Sequence, residues 1–199
     1  MDTASQIGSL ELREAGGGAV RLAGSFPYNK RATIFSGGNG RRPRKEQFAP
    51  KAFSFALEED REVHMLVGHS FDRPLASRKA GTLQLTDTDA ALELKAELTP
   101  EMLETSWTRD FLAALRAGLI VGLSPGFRVA PPEAVPDAEE TVEENPSEGK
   151  ALIRIIKAAV LFELSAVTRP AYDQASLAEA RHWASKPVLH RPAALRWRA

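Results

Sequence analysis

Gly122-Leu123-Ser124-Pro125-Gly126-Phe127 closes a short apolar run that begins at Leu119. Side chains of a strand alternate between its two faces. The run therefore places Leu119, Val121 and Leu123 on one side and Ile120, Gly122 and Ser124 on the other. The first side is continuous hydrocarbon and is expected on the core. The second is nearly bare beside Ser124, because Gly122 carries no side chain. Two readings of Ser124 stand side by side. A hydroxyl with cleared space, where Pro125-Gly126 turns the backbone, suits attack on a bound substrate. Ser, Pro and Gly are also ordinary turn residues.

Immediately upstream, the spacing of Trp107, Phe111, Leu112 and Leu115 predicts a helix from Ser106 to Ala117, capped by Thr105 or Ser106 and ended by Gly118. Before it, residues 81–97 read as a hairpin turning at Asp87-Thr88-Asp89. Further back, Glu62 to His69 alternates as a strand, with Val63, Met65, Val67 and His69 on one face, until Ser70 and Asp72-Arg73-Pro74 break it. Val20 to Gly24 and Ala32 to Phe35 read as strands. Phe48, Phe53 and Phe55 belong to a turn or short helix that plugs the core. The glycines between Ser36 and Arg44 lack the Gly-Lys-Ser/Thr ending of a phosphate loop and read as a solvated loop.

Downstream, Phe127 to Val129 resumes strand character before the composition changes. Residues 131–150 are rich in Pro and Glu and poor in apolar side chains, so they read as a mobile acidic loop. Strands return at Leu152 to Ile156 and at Val160 to Val167. In the latter, Val160, Phe162, Leu164 and Ala166 are expected on one face and Leu161, Glu163, Ser165 and Val167 on the other. Glu163 stands out, because a buried carboxylate needs a cation or hydrogen-bond donors. Arg154 on the preceding strand and His69 are both eligible partners. Gln174 to Ala184 suits a terminal helix. The tail beyond it carries Lys186, Arg191, Arg196, Arg198 and His190 without an acid. The domain plan is a flexible arm (1–18), one folded domain (19–184, with 130–150 as the loop) and a basic tail (185–199).

The 199 residues hold equal numbers of Lys+Arg and Asp+Glu, 26 each, so no global field favours a polyanion. Aromatic residues are scarce around the basic runs at Arg41 to Lys45 and in the tail, which argues against a nucleic-acid-binding module. There is no cysteine, hence no disulfide, thiolate site or thiol nucleophile. No metal or cofactor is expected: His64 and His69 point to opposite faces of their strand with no third ligand near. No run reaches the roughly 20 apolar residues of a membrane span, and Met1-Asp2-Thr3-Ala4 does not open a signal peptide. An intracellular, cytoplasmic protein is the expectation.

Six landmarks occur in order: Phe48-Ala49-Pro50-Lys51-Ala52-Phe53; His69 followed by Arg73-Pro74-Leu75; Gly81-Thr82-Leu83; the Arg109-Asp110 helix; Gly122 to Phe127; and Leu161 to Tyr172, reading LFELSAVTRPAY. Together they resemble the prohead (procapsid) maturation protease family of tailed bacteriophages, prophages and gene transfer agents, over about Val20 to Asp173. The resemblance implies a serine endopeptidase of α+β class, mainly β, with a closed antiparallel β-barrel surrounded by helices as in the herpesvirus assemblins. By position, it implies Ser124 as nucleophile, His69 as general base and Glu163 as the residue that orients the imidazole. Gly68-His69-Ser70 departs from the Asn-His-Asp common in the family. Pro125 has no N–H, so the oxyanion donor is expected at the Gly126 or Phe127 backbone or at Arg169. The implied substrate is the scaffolding segment of the major capsid protein inside the immature capsid, with self-processing, and an autocleaved or shell-docking tail. Dimer-activated assemblins make a homodimer an expectation by resemblance alone. The competing class is a catalytically silent assembly or scaffold protein of the same fold.

Overall fold

The structure, a computed structural model, describes residues 9–14 and 18–170. The expected helix from Gln174 and the basic tail lie outside the described residues. The first half of the chain holds β1 (Ser9–Glu14), β2 (Val20–Pro27), β3 (Ala32–Phe35), β4 (Arg44–Phe48), α1 (Ser54–Glu58), β5 (His64–Val67), β6 (Ser70–Ser77), β7 (Leu83–Asp87) and β8 (Ala91–Leu98). The second holds α2 (Pro100–Leu103), α3 (Ser106–Arg116), β9 (Gly122–Val129), β10 (Glu139–Glu143), β11 (Leu152–Ile156) and β12 (Ala159–Val167). No helix among the described residues is long and apolar enough to cross a membrane.

The strands form three four-stranded sheets, in the orders β1-β2-β8-β7, β10-β11-β4-β3 and β6-β5-β12-β9. This corrects the expected closed antiparallel barrel surrounded by helices. Among the described residues each sheet is open, ending on strands that no other sheet pairs with. Two ladders, β11 with β4 and β12 with β5, are parallel, so the sheets are mixed. The three helices among the described residues are short and do not enclose them. The open sheets are held together by one shared core. Leu22 and Phe26 enter it from the first sheet, Phe48 and Ile156 from the second, and Met65, Leu161, Leu164 and Ala166 from the third. At its centre Phe48 meets Phe53 at 5.1 Å and Phe127 at 4.7 Å between ring centroids. Phe127 thereby anchors β9 to the aromatic cluster.

The helix leading into β9 forms as the sequence requires, with Phe111 and Leu112 buried. Trp107 Nε1 donates to Pro74 O at 3.0 Å and ties α3 to β6. Gly118, at φ +69°, ends it. The Gly118 N–H reaches Leu115 O at 3.0 Å and the Leu119 N–H reaches Ala114 O at 2.9 Å, the paired bonds of a Schellman cap. That cap turns the chain and displaces the expected strand. Leu119 and Val121 are 63% and 52% exposed, Ile120 is the residue buried in the core, and pairing begins only at Gly122.

Two further expectations change for local reasons. Ser70 to Ser77 is a strand despite Pro74, because β6 is an edge and its register slips twice against β5. In β12 a register shift between Leu161 and Glu163 leaves Phe162 without a partner on β9. The bulge resets the alternation. Ala159 and Leu161 face the core before it, Leu164 and Ala166 after it, and Phe162 is exposed beneath the Arg128 guanidinium.

The acidic stretch read as a loop contains β10, paired antiparallel with β11. Its carboxylates meet cations. Arg154 binds Glu139 at 2.5 Å, Lys157 binds Glu140 at 2.6 Å, Arg42 binds Glu143 at 2.9 Å, and Lys45 binds the buried Glu144. Two members of the basic run at residues 41–45 are therefore matched by carboxylates of the same chain.

Candidate active site

The site lies on the third sheet, on the face of β12 opposite the core. There Glu163 and Ser165 project from β12, and Ser124 and Gly126 from the edge strand β9. The antiparallel register sets Ser165 directly opposite Ser124 and Glu163 directly opposite Gly126. Directly opposed residues share a face. Ser124 and Ser165, 41 positions apart in sequence, thus become neighbours through the ladder alone.

His69 arrives from the other side of β12, and differently from the sequence expectation. It does not continue the face of β5. Val67 pairs with Ser70, so Gly68 and His69 are the two residues of a tight hairpin turn. Both have positive φ, +60° and +62°, the requirement of the mirror-image turn whose twist suits a hairpin. Gly tolerates that region without strain, so Gly68 suits the turn. A histidine there is strained, by about 1–2 kcal/mol. Contacts to β12 hold it: Gly68 N–H donates to Ala166 O at 3.1 Å and His69 N–H to Ser165 Oγ at 2.9 Å.

The turn lays the imidazole over β12, and Nδ1 lies 2.8 Å from Glu163 Oε1. The Glu163 side chain is 5% exposed and that of His69 48%. A buried carboxylate thus grips one ring nitrogen while much of the ring remains accessible. The second oxygen, Glu163 Oε2, accepts from Ser165 Oγ at 2.5 Å. Each carboxylate oxygen therefore has a partner, which answers the cost of burying the charge. Arg154, the other eligible partner, lies in the second sheet and binds Glu46 and Glu139 instead.

Of the sequence candidates, His69 and Glu163 are in direct contact, and Ser124 shares their face of the sheet without a hydrogen bond to His69. Such bonds are often long before substrate binds. Pro125 is accommodated because β9 is an edge. Phe127 is turned into the aromatic cluster through its ring, and Arg169 is exposed just past the end of β12. Gly126 has a part the sequence did not announce. A Cβ on it would lie 2.0 Å from Glu163 Oε1, so the carboxylate occupies the space a side chain would need. Ser165 was also missed, since a small hydroxyl in a strand carries no signal until its register is known. Among the described residues no three His, Asp or Glu side chains converge as a metal site.

A family model described as Caudovirus prohead serine protease matches residues 29–187, well over half of the chain. The matched span contains every residue of the cluster. No curated protein and no solved structure gives a match.

Proposed function

The chain belongs to the caudovirus prohead serine protease family, and from that premise we propose that it is an endopeptidase that removes the scaffolding segment of the major capsid protein, and processes itself, inside the immature capsid. Ser124 Oγ is the nucleophile. It attacks the scissile carbonyl carbon and passes its proton to Nε2 of His69. The imidazolium then returns a proton to the leaving amine, and water repeats the cycle on the acyl-enzyme. Glu163 holds the ring in the tautomer with hydrogen on Nδ1 and stabilises its positive charge. The tetrahedral oxyanion needs a donor that Pro125 cannot supply. Backbone N–H groups of Gly126 or Phe127, or the Arg169 guanidinium, fill that role.

The observation that carries this reading is the 2.8 Å contact between His69 Nδ1 and a Glu163 carboxylate that is otherwise buried. It directs the other ring nitrogen away from the acid and leaves it available to a hydroxyl. Enclosure with the substrate inside a shell raises local concentration and relaxes the need for tight binding. The test is co-expression with the major capsid protein. Ser124→Ala is expected to leave the capsid protein at full length while the variant remains folded. Trimming at the normal rate by that variant would assign the chain to the silent scaffold class instead.

A further inference from the structure

Ser165 is fully buried, yet its hydroxyl is used twice. It donates to Glu163 Oε2 at 2.5 Å and accepts the His69 N–H at 2.9 Å. A hydroxyl has one hydrogen to donate and two lone pairs to accept with, so both bonds form at once. We propose that Ser165 is a positioning residue that locks the acid and the base of the site into one unit. Its two hydrogen bonds go to Glu163 and His69, and none to the Ser124 hydroxyl.

Three observations favour this over a role in packing. First, the two bonds go to the two groups whose relative position matters most, the carboxylate and the residue that carries the imidazole. Secondly, the bond to His69 falls on the backbone of a residue at φ +62°, a conformation that L side chains disfavour and that neighbouring contacts must hold. Thirdly, Ser165 stands opposite Ser124 in the β12–β9 ladder. The same residue that fixes the acid and the base is thereby in register with the hydroxyl they are proposed to activate. Without the Ser165 hydroxyl, Glu163 Oε2 loses its donor and the turn loses the acceptor for the His69 N–H. The carboxylate is then free to swing, and the ring with it.

The inference rests on the peptidase reading for its catalytic consequence but not for its geometry, and the experiment separates the two. The full chain and its Ser165→Ala, Ser165→Thr and Ser124→Ala variants are compared by two measurements. One is the rate of phosphonylation by a fluorophosphonate, in which Ser124 Oγ bonds to phosphorus, fluoride leaves, and the hydroxyl proton passes to His69. The other is the proton NMR signal of the hydrogen-bonded His69 Nδ1–H. Ser165→Ala is expected to lower the maximal phosphonylation rate by about 10–100-fold, to leave half-saturation within about threefold, and to shift or abolish the Nδ1–H signal. Ser165→Thr, which keeps the hydroxyl, is expected to restore both. A Ser165→Ala protein with wild-type phosphonylation and an unmoved signal overturns the proposal. So does a loss of both that Thr does not restore and that follows a fall in melting temperature, because that marks packing. If Ser124→Ala is labelled as fast as wild type, the peptidase reading fails, and the NMR comparison still decides whether Ser165 holds the pair.

Discussion

Gly126 and Glu163 face each other across the β9–β12 ladder, and the carboxylate lies where a side chain on residue 126 would be. The clearance is 2.0 Å from an ideal Cβ to Oε1, 2.7 Å to Cδ and 2.9 Å to Cγ. No ordinary Cβ contact is so short. The glycine is therefore a condition for the acid to lie flat against the sheet and reach His69.

Gly126→Ala tests this relationship directly. Backbone is not the obstacle, since φ at this position is not in the left-handed region. The added methyl must displace Glu163, and we expect phosphonylation by a fluorophosphonate to fall about 10²-fold. Overpacking is expected to lower unfolding free energy by about 1–3 kcal/mol in urea titrations. Wild-type phosphonylation in this variant would show that the observed pose of Glu163 is not needed.

Glu163→Gln keeps the size but removes the charge and replaces one acceptor oxygen by a donor. The amide NH₂ group, facing Nδ1, favours the wrong tautomer and offers nothing to a developing imidazolium. We expect the rate of capsid-protein trimming to fall about 10⁴-fold, as followed by gel densitometry over time. A loss below tenfold would demote Glu163 to a structural acid.

The turn at Gly68 isolates a purely conformational effect. A Cβ there would meet nothing within 4 Å, and φ is +60°. Gly68→Ala is expected to lower unfolding free energy by about 1–2 kcal/mol, with Gly68→Asn within about 0.5 kcal/mol of wild type. Equal stability of all three by chemical denaturation would contradict the positive dihedral.

Stability at high pH is expected to depend on Tyr28, which is buried and donates to Asp87 Oδ1 at 2.5 Å. Burial, reinforced by the Asp87 hydrogen bond and charge, raises the hydroxyl well above its usual value of 10.0. A raised folded value means that the native state keeps the proton after the unfolded chain has lost it. This contribution is therefore complete below pH 10 and declines as pH rises above it, by up to about 1.4 kcal/mol per pH unit. Tyr28→Phe should flatten the fall of unfolding free energy between pH 10 and 12 relative to wild type. Parallel curves for the two proteins would contradict it.

Much of the local structure is legible in the chain. Helix α3 follows from the spacing of Trp107, Phe111 and Leu112 and from Gly118, because a helix and its cap are built from neighbours in sequence. Strands β3, β11 and β12 follow from short runs of apolar and β-branched residues for the same reason. His69, Ser124 and Glu163 also stand out by residue type: a carboxylate among apolar residues, a hydroxyl beside a glycine, a histidine at a strand's end. Pairing is another matter. Which strand lies beside which, in what register and in what direction, depends on backbone hydrogen bonds between segments far apart in sequence. Alternation carries no record of them. Only the tertiary structure replaced the barrel with three open sheets, moved His69 from a strand face into a left-handed turn, and put the bulge at Phe162. It also chose His69 over Arg154 as the partner of Glu163. The same register gives Gly126 and Ser165 their parts. An absent side chain and a small hydroxyl acquire meaning only from what faces them across the ladder.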